Sequence, residues 1–305
     1  MIKEAVEKEP KVSIILLNYC NYWDTIACIN SLEYMNYTNY HIYVVDNHSP
    51  NDSLRELKKM ESNRVTVIDS GLNGGFAFGN NIGIRYALKN SFDYILLLNN
   101  DTIVTRDFLK KLTKTAVNNS SDVTTCRIMY NDVRELVWYA GGSIDWFNQR
   151  AVHQGINQQY TGDTHIREVS FVSGCCMLLS KKCLDLLGEF PEEYFMYYED
   201  LDFCKQAIDK GLKILYDPNV FIYHCVSACG GGSDSPFVVE WSNRSRRIFM
   251  KKYSSCFKRP KIIMSFVWCE VKTILKLLMT KDRCKSLKAY CKSFKMNCEK
   301  DSITL

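Results

Sequence analysis

Four short apolar runs constrain the fold of this chain more than any other feature of its sequence. They read VSIILL from Val12, HIYVVD ending at Asp46, VTVI at 65–68 and DYILLL at 93–98. Continuous apolar runs of this length, rich in β-branched residues, are typical of strands buried on both faces of a parallel sheet. Helical stretches separate the runs, so the first hundred residues predict a doubly wound sheet of the α/β class.

The polar residues that follow these strands are the first candidates for a binding site. Tyr19, Asp46 and Asp101 come directly after the first, second and fourth strands. Sheets of this kind bind ligands at the carboxyl ends of their strands, so we expect the three side chains on one rim. A single acid at a strand end is also a common turn former or helix cap, and that alternative stays open. Because neither G-x-G-x-x-G nor G-x-x-x-x-G-K-[ST] occurs, the pattern argues against dinucleotide dehydrogenases and P-loop NTPases.

Beyond residue 102 the pattern becomes less regular. We expect a helix near 107–117, an irregular aromatic stretch at 137–147, an alternating strand at 168–180 and two short strands leading to His224. Glu199 and Asp200 open a predicted helix, where carboxylates suit the helix dipole. Helix-start electrostatics could alone explain this acidic pair, and His224 alone could be a core or capping histidine.

Composition indicates a folded protein with a cationic end. Hydrophobic residues make up 46% of the chain and charged residues 24%, which excludes disordered and fibrous classes. The net charge is +5, but residues 251–305 carry 14 Lys and Arg against 4 Asp and Glu, a net +10, and residues 1–250 therefore sum to −5. Such a segment favours polyanionic partners.

Residues 254–305 are predicted to form a basic, amphipathic helical tail. On a helix over 262–279, the apolar stripe comprises Ile263, Val267, Val271, Ile274 and Leu278, with Phe266 and Leu277 beside it, and the polar face comprises Glu270, Lys272, Thr273 and Lys276. We expect an anionic membrane surface as the partner of this tail. The alternative is a helix packed on the body of the protein with a solvated end. Nucleic acid is not expected as a partner, because basic and aromatic residues are sparsely interleaved.

The amino-terminal residues and the cysteines indicate the compartment. The segment MIKEAVEKEPKVS has no apolar core of a secretory signal, and the 14 cysteines lack the spacing of a disulfide framework. We therefore expect a cytoplasmic protein with reduced thiols, held at the inner face of the cell membrane if the tail binds lipid.

Eight segments follow one another in order over about residues 10–253. They are VSIILLNY (12–19), VVDNHSPND (44–52), NGGFAFGNNIGI (73–84), LLLNNDT (96–102), YAGG (139–142), VSGCCMLLS (172–180), FMYYEDLDF (195–203) and GLKILYDPNVFIYH (211–224). As a set they resemble the family-2 glycosyltransferases with the GT-A fold, in the rhamnosyltransferase-like bacterial branch that builds surface polysaccharides. The resemblance implies a single Rossmann-like domain with a mostly parallel central sheet flanked by helices, plus a helical extension.

This resemblance assigns expected roles to individual residues. The catalytic base would be Asp200, with Glu199 beside it, and a divalent cation would be bound by Asp101 and His224. Tyr19 would pack on the donor's nucleobase and Asp46 would accept the imide N–H of uracil or thymine. The expected nucleotide-sugar-binding set is Tyr19, Asp46, Asn73, Gly75, Asn81, Asn100 and Arg244.

The implied activity is that of a metal-dependent, inverting glycosyltransferase. With Mg²⁺ or Mn²⁺, it would move a sugar from dTDP-rhamnose or a UDP-hexose to a hydroxyl of a growing, lipid-linked bacterial surface glycan. One alternative is a catalytically silent nucleotide-binding scaffold of polysaccharide assembly, because Asn99-Asn100 leaves a single acid in the metal motif. A sugar nucleotidyltransferase is a weaker alternative, because no Gly-rich basic loop lies near Tyr19.

These inferences predict three regions. Residues 1–10 are an N-terminal extension and residues 11–253 the GT-A domain, and residues 254–305 are the helical tail. Within the domain we expect a nucleotide-binding half over 11–102 and an acceptor and catalytic half over 103–253.

Overall fold

The computed structural model describes residues 9–226, 235–253, 260–279 and 283–295. Predictions about most of the N-terminal extension and about 254–259, 280–282 and 296–305 of the tail lie outside these residues. The strands are β1 (Val12–Asn18), β2 (Tyr40–Asp46), β3 (Val65–Asp69), β4 (Tyr94–Asn99), β5 (Thr102–Val104), β6 (Val123–Tyr130), β7 (Val137–Tyr139), β8 (Gly142–Asp145), β9 (Arg150–His153), β10 (Arg167–Glu168), β11 (Cys176–Ser180) and β12 (Ile214–His224). The helices are α1 (Tyr22–Glu33), α2 (Ser53–Lys58), α3 (Gly75–Leu88), α4 (Phe108–Asn118), α5 (Lys181–Leu187), α6 (Glu199–Asp209), α7 (Pro236–Lys252), α8 (Pro260–Leu278) and α9 (Arg283–Lys295).

One large mixed sheet runs through the domain, in the order β10-β12-β6-β11-β4-β1-β2-β3. The four strands predicted from the apolar runs, β4, β1, β2 and β3, are parallel neighbours. Their residues are almost completely buried, as expected for strands covered by helices on both faces. The α/β class predicted from the sequence is therefore confirmed.

Strand β11 brings the second half of the domain to the carboxyl ends of these strands. It runs antiparallel to β4, with Cys176 opposite Leu98, so the turn before β11 lies beside the end of β4. The predicted single strand over 168–180 is wrong at this point, because Gly174 and Cys175 form a turn between β10 and β11. The two short strands predicted before His224 are one strand, β12, with a register shift between Asp217 and Phe221.

Helix α8 lies against α7 and α9 with its apolar face outward. Trp268 is 58% exposed and Val267, Val271, Ile274 and Leu278 are also exposed, whereas Leu277 is buried against Val239 and Tyr290. Glu270, predicted on the solvent face, instead pairs with Arg247 at 2.9 Å and accepts the Tyr290 hydroxyl hydrogen bond. Among the described residues, no helix is both long enough and apolar enough to cross a bilayer.

Candidate active site

The carboxyl ends of β1 and β2 are joined by buried polar side chains. Asn18 donates its amide to Asp46 Oδ1 at 2.6 Å, and the Thr25 hydroxyl donates to Asn18 Oδ1 at 2.8 Å. Ser49 donates both its hydroxyl, at 2.7 Å, and its backbone N–H, at 2.9 Å, to the Asp46 carboxylate. Three donors from the chain thus fix Asp46, and one acceptor position on Oδ2 remains.

Tyr19 and Asn100, two of the predicted nucleotide-sugar-binding residues, lie next to this network. Tyr19 follows β1 and is 42% exposed, so its ring is available to a planar ligand. The Asn100 amide donates to the Thr25 hydroxyl at 2.8 Å, which ties the end of β4 to the same network. The contact of Tyr19, Asp46 and Asn100 with a nucleotide stays a prediction.

Asp101 and His224, which are far apart in sequence, meet at the end of the sheet. The Asp101 Oδ1 atom lies 3.0 Å from His224 Nε2, and both side chains are nearly buried. Antiparallel pairing of β5 with β12 produces this contact, because Thr102 is opposite His224. The His224 ring also packs edge-on against Trp138, with centroids 4.6 Å apart.

The metal-ligating atoms of Asp101 and His224 fit part of a divalent-cation site. One carboxylate oxygen and one imidazole nitrogen suit Mg²⁺ or Mn²⁺ only if further oxygen ligands come from a substrate. Over the ranges that the structure describes, no three His, Cys, Asp or Glu side chains converge. The buried Nδ1 atom of His224 makes no hydrogen bond to a described residue. Asp101 and His224 can therefore hold a cation together with a diphosphate, and metal dependence stays a prediction.

The glycine-rich segment before α3 lies tightly against the segment that leads to α6. Gly75 has a φ of +88°, and a Cβ atom placed on it would lie 2.0 Å from the carbonyl oxygen of Phe195. The Asn73 side chain accepts hydrogen bonds from the Asn47 amide at 2.9 Å and from Gly75 N–H at 3.2 Å. Phe76 N–H donates to the Phe195 carbonyl at 2.8 Å. These contacts make residues 73–76 and the segment that leads to α6 one packed unit.

Asn81 has a different position from the other predicted donor-binding residues. Its amide donates to Phe190 O at 2.9 Å and to Glu192 Oε1 at 2.8 Å, and its carbonyl accepts from Phe190 N–H at 2.9 Å. The side chain is fully buried, and both amide hydrogens are used. Asn81 thus fastens α3 to residues 190–192, and a contact with the donor remains untested.

The acidic pair at the start of α6 has the properties of an acid–base site. Desolvation raises the pKa of Asp200 from its ordinary value to about 6, although the backbone N–H groups of Gly174, at 3.1 Å, and Leu201, at 2.8 Å, donate to it. Burial, and then the adjacent charge of Asp200, raises the pKa of Glu199 well above its usual range. When Glu199 stays protonated, Asp200 is the carboxylate that can accept a proton near neutral pH.

The backbone before this pair is held in an uncommon conformation. Tyr197 and Tyr198 both have positive φ values, of 68° and 72°. Non-glycine residues in this region cost free energy and concentrate at functional sites. The Tyr198 hydroxyl donates to the Gln149 carbonyl at 2.9 Å, which secures the turn.

Gly174 and Cys175, in the turn before β11, connect the acidic pair to the rim. Gly174 N–H donates to Asp200, and the next residue accepts a hydrogen bond through its carbonyl from Asn99 N–H at 2.9 Å. The charge of Asp101 contributes, after burial, to the raised pKa of the Cys175 thiol. Gly174 therefore contacts Asp200, the candidate base, and the neighbouring Cys175 lies close enough to Asp101, the candidate metal ligand, for that charge to affect its pKa.

Arg244 projects from α7, one of the helices that close this site. Its guanidinium lies over the Trp241 ring at 5.0 Å, and Trp241 packs on the Phe195 ring with centroids 4.2 Å apart. Phe195 is the residue that contacts Gly75, so α7 is connected to the glycine-rich segment 73–76 through aromatic packing. A contact between Arg244 and a diphosphate stays a prediction.

Sequence reasoning missed several residues that build the site. Asn18, Thr25, Ser49 and Gly174 form its buried polar links, but only the position of Asn18 at a strand end gave a signal. Asp202 was missed as an anchor: its fully buried carboxylate accepts from Tyr194, Gln206, Lys252 and Tyr253 at 2.5–2.8 Å. It ties α6 to α7.

Comparison with known proteins shows which family this chain resembles. A family model described as Glycosyl transferase family 2 matches residues 13–188, which is more than half of the chain. The chain is 28% identical over 208 residues to the low-salt glycan biosynthesis hexosyltransferase Agl10 of Haloferax volcanii, covering 67% of this chain and 63% of that protein. It is 23% identical over 202 residues to the dTDP-rhamnosyl transferase RfbF of Shigella flexneri, covering 62% and 60%. The chain thus matches about three fifths of the length of these relatives.

A shorter match and two solved structures complete the comparison. Over 95 residues, 31% of each chain, the protein is 30% identical to an N-acetylglucosaminyl-diphospho-decaprenol L-rhamnosyltransferase of Mycobacterium tuberculosis. A Pyrobaculum calidifontis mannosyltransferase, solved with GDP-Man and Mn²⁺, aligns with TM-score 0.58 and 13% identity over 94% of this chain and 74% of its own. GalNAc-T7, solved with UDP, GalNAc and Mn²⁺, aligns with TM-score 0.65 and 14% identity over 95% and 56%. These likenesses confirm the GT-A fold.

Proposed function

This chain belongs to glycosyl transferase family 2, and on that premise we propose that it is an inverting glycosyltransferase of glycan biosynthesis. It moves a sugar from a nucleoside-diphosphate donor, dTDP-rhamnose or a UDP-hexose, to a hydroxyl of a growing, lipid-linked glycan. The observation that carries this proposal is the turn at Gly174 and Cys175, which lies between a carboxylate of raised pKa and the Asp101–His224 pair. The names of the rhamnosyltransferase and hexosyltransferase relatives support the choice of donor and acceptor.

The proposed reaction uses the groups on the two sides of the turn at Gly174 and Cys175. Asp200 accepts the proton of the acceptor hydroxyl while that oxygen attacks the anomeric carbon from the face opposite the leaving group. The bond from the anomeric carbon to the diphosphate oxygen breaks, and the nucleoside diphosphate leaves with the electron pair. A single displacement of this geometry inverts the anomeric configuration, and general-base help contributes about 10²–10⁴ in rate.

The leaving group is stabilised at the rim. Asp101 and His224 would hold Mg²⁺ or Mn²⁺, which would neutralise charge on the departing diphosphate without proton transfer. Tyr19 packs on the nucleobase and Asp46 offers its remaining acceptor position to a pyrimidine imide N–H. Arg244 reaches the diphosphate from α7.

Release of nucleoside diphosphate from a panel of nucleotide sugars tests this function. We expect turnover with dTDP-rhamnose or a UDP-hexose, lowered at least about 10²-fold in Asp200→Asn. Asp209→Asn is the matched control, because Asp209 lies on the same helix but pairs with Lys205 on the surface. Equal turnover of both variants would refute the role of Asp200.

A catalytically silent scaffold is the second candidate. It is favoured by the single carboxylate in the metal motif, because no third metal-ligating side chain joins Asp101 and His224 in the described residues. A protein that binds nucleoside diphosphate but releases none from any donor, with or without Mn²⁺, would establish this candidate instead.

We further propose that α8 rests on an anionic bilayer at the cytoplasmic face of the membrane. Its outward apolar face, which includes Val267, Trp268 and Val271, is bordered by the exposed lysine Lys272. Each cation near such a surface contributes about 1 kcal/mol of attraction, and buried apolar area adds to it. Leu277 and Glu270 of α8 pack against α7 and α9, as the alternative of a helix packed on the body of the protein expects, and the exposed apolar face is the part that we assign to lipid.

Co-sedimentation with phosphatidylglycerol vesicles tests the membrane proposal in the full chain. Trp268→Glu should lower the bound fraction severalfold, and high salt should release the wild-type protein. Leu186→Glu, at an exposed apolar residue of α5, is the control and should bind like wild type. Equal binding of both variants would contradict the proposed contact.

A further inference from the structure

A small cavity between α7 and α8 has not been used by the proposed mechanism. Its volume is about 230 Å³, below the roughly 300–1,000 Å³ typical of small-molecule sites, so it suits a chemical group rather than a whole nucleotide. Its polar lining consists of Tyr198, Ser242, Asn243, Arg246, Thr273 and Lys276. Two lining side chains are cationic and none is a carboxylate, so the cavity suits an anion.

Arg246 is built into this cavity with an incomplete set of partners. Its side chain is only 11% exposed, one guanidinium N–H₂ donates to Asn148 O at 3.3 Å, and its Nε atom makes no hydrogen bond to a described residue. The Glu270 carboxylate lies 4.0 Å away and is already bound by Arg247 at 2.9 Å. Two nearly buried guanidinium groups therefore share one carboxylate, which leaves net positive charge that an anion would balance.

Among the other polar lining residues, Asn243 supplies one further hydrogen-bond donor for that anion. The hydroxyls of Ser242 and Thr273 donate to carbonyls one turn earlier in their own helices. The Asn243 amide uses one hydrogen on Val239 O at 2.7 Å, which leaves its second hydrogen for another acceptor. Arg246 and Asn243 together can bind phosphate oxygens by hydrogen bonds, those of Arg246 being charge-assisted.

The position of the cavity indicates which phosphate it takes. On one side it reaches Tyr198, the residue directly before the acidic pair Glu199-Asp200. On the other side it is closed by α8, whose opposite face is apolar and exposed. One molecule could contact Asp200, the cavity and the apolar face of α8 if it carried a sugar hydroxyl, a phosphate and an apolar chain in that order.

We propose that this cavity, the α7–α8 anion pocket, binds the diphosphate of a lipid-linked acceptor through Arg246 and Asn243. The proposal rests on the proposed function, since it assigns the acceptor side of the same site. It separates the two diphosphates of the reaction: the donor's at Asp101 and the acceptor's at Arg246.

Binding of farnesyl diphosphate to the full chain, measured by calorimetry in EDTA, tests the pocket without any turnover. We expect Arg246→Gln to raise the Kd at least tenfold, and Arg246→Lys to restore part of the affinity. Lys272→Gln removes a charge from α8 outside the pocket, and Asp101→Ala removes the donor-side ligand. Both controls should bind within about twofold of wild type.

The same experiment distinguishes an acceptor diphosphate from a lipid headgroup as the group that the pocket binds. It also separates a failure of the pocket from a failure of the proposed function. Farnesol should not compete, and glycerol 1-phosphate should compete only weakly; equal competition by glycerol 1-phosphate would overturn the acceptor assignment in favour of a lipid headgroup. Wild-type affinity in Arg246→Gln, or loss of affinity in Asp101→Ala, would also overturn it. Thermal unfolding confirms that each variant is folded. A chain that binds farnesyl diphosphate in this pattern but releases no nucleoside diphosphate would refute the proposed function and leave the pocket standing.

Discussion

Gly75→Ala is expected to loosen the contact on which the active-site geometry depends. The added Cβ atom would lie 2.0 Å from the Phe195 carbonyl oxygen, and backbone atoms cannot move aside as a flexible side chain can. The φ of +88° adds strain of about 1–2 kcal/mol, and the steric overlap adds about 1–3 kcal/mol. We therefore expect the free energy of unfolding to fall by about 3 kcal/mol.

Gly71→Ala is the matched control for this substitution. Gly71 has a similar φ of +79°, but a Cβ atom there would meet nothing within 4 Å. It should lose only the conformational part, about 1–2 kcal/mol. Urea denaturation of both variants, followed by circular dichroism, gives the difference, and calorimetric titration of nucleoside diphosphate should show weaker binding only in Gly75→Ala. Equal stability of the two variants would show that residues 73–76 and the segment that leads to α6 do not form one packed unit.

Three further predictions follow from the rim and from the anchor of α6. Asp101→Ala should weaken Mn²⁺-dependent donor binding at least tenfold in calorimetry, and His224→Ala should weaken it less. Donor binding that is changed neither by EDTA nor by either substitution would exclude the metal site. UDP or dTDP should bind more tightly than GDP, because Asp46 offers an acceptor to a pyrimidine imide, and the reverse order would contradict this role. Lys252→Met should lower the free energy of unfolding by about 2–3 kcal/mol, since it leaves the fully buried Asp202 without its counter-charge; an unchanged urea midpoint would contradict the anchor.

The parallel strands could be predicted from sequence because burial on both faces requires continuous apolar runs. Val12–Asn18 and Tyr94–Asn99 are examples, and the polar residues after them mark the rim by topology alone. The break at Gly174 could not be predicted, because the alternating pattern continues through the turn and the turn is fixed by Asp200 and Asn99, which are remote in sequence.

Helix α8 shows the limit of periodicity. The pattern correctly groups Val267, Val271 and Ile274 on one side, but it does not tell what that side contacts. The inward contact of Glu270 depends on Arg247 and Tyr290, residues of two other helices. Asn81 is a similar case, since its three hydrogen bonds to residues 190–192 are invisible in the local sequence.

The most direct test of the central claim, that Asp200 is the base, is the pH dependence of kcat/KM for nucleoside diphosphate release. Because desolvation raises the pKa of Asp200 to about 6, the base is protonated below that pH and ionised above it. We predict that kcat/KM falls about tenfold per pH unit below pH 6 and levels off above it. Asp200→Asn should be at least about 10²-fold slower and should lack this limb, whereas Asp209→Asn should retain it. A wild-type rate that does not change between pH 5 and 7, or the same ascending limb in Asp200→Asn, would contradict the account.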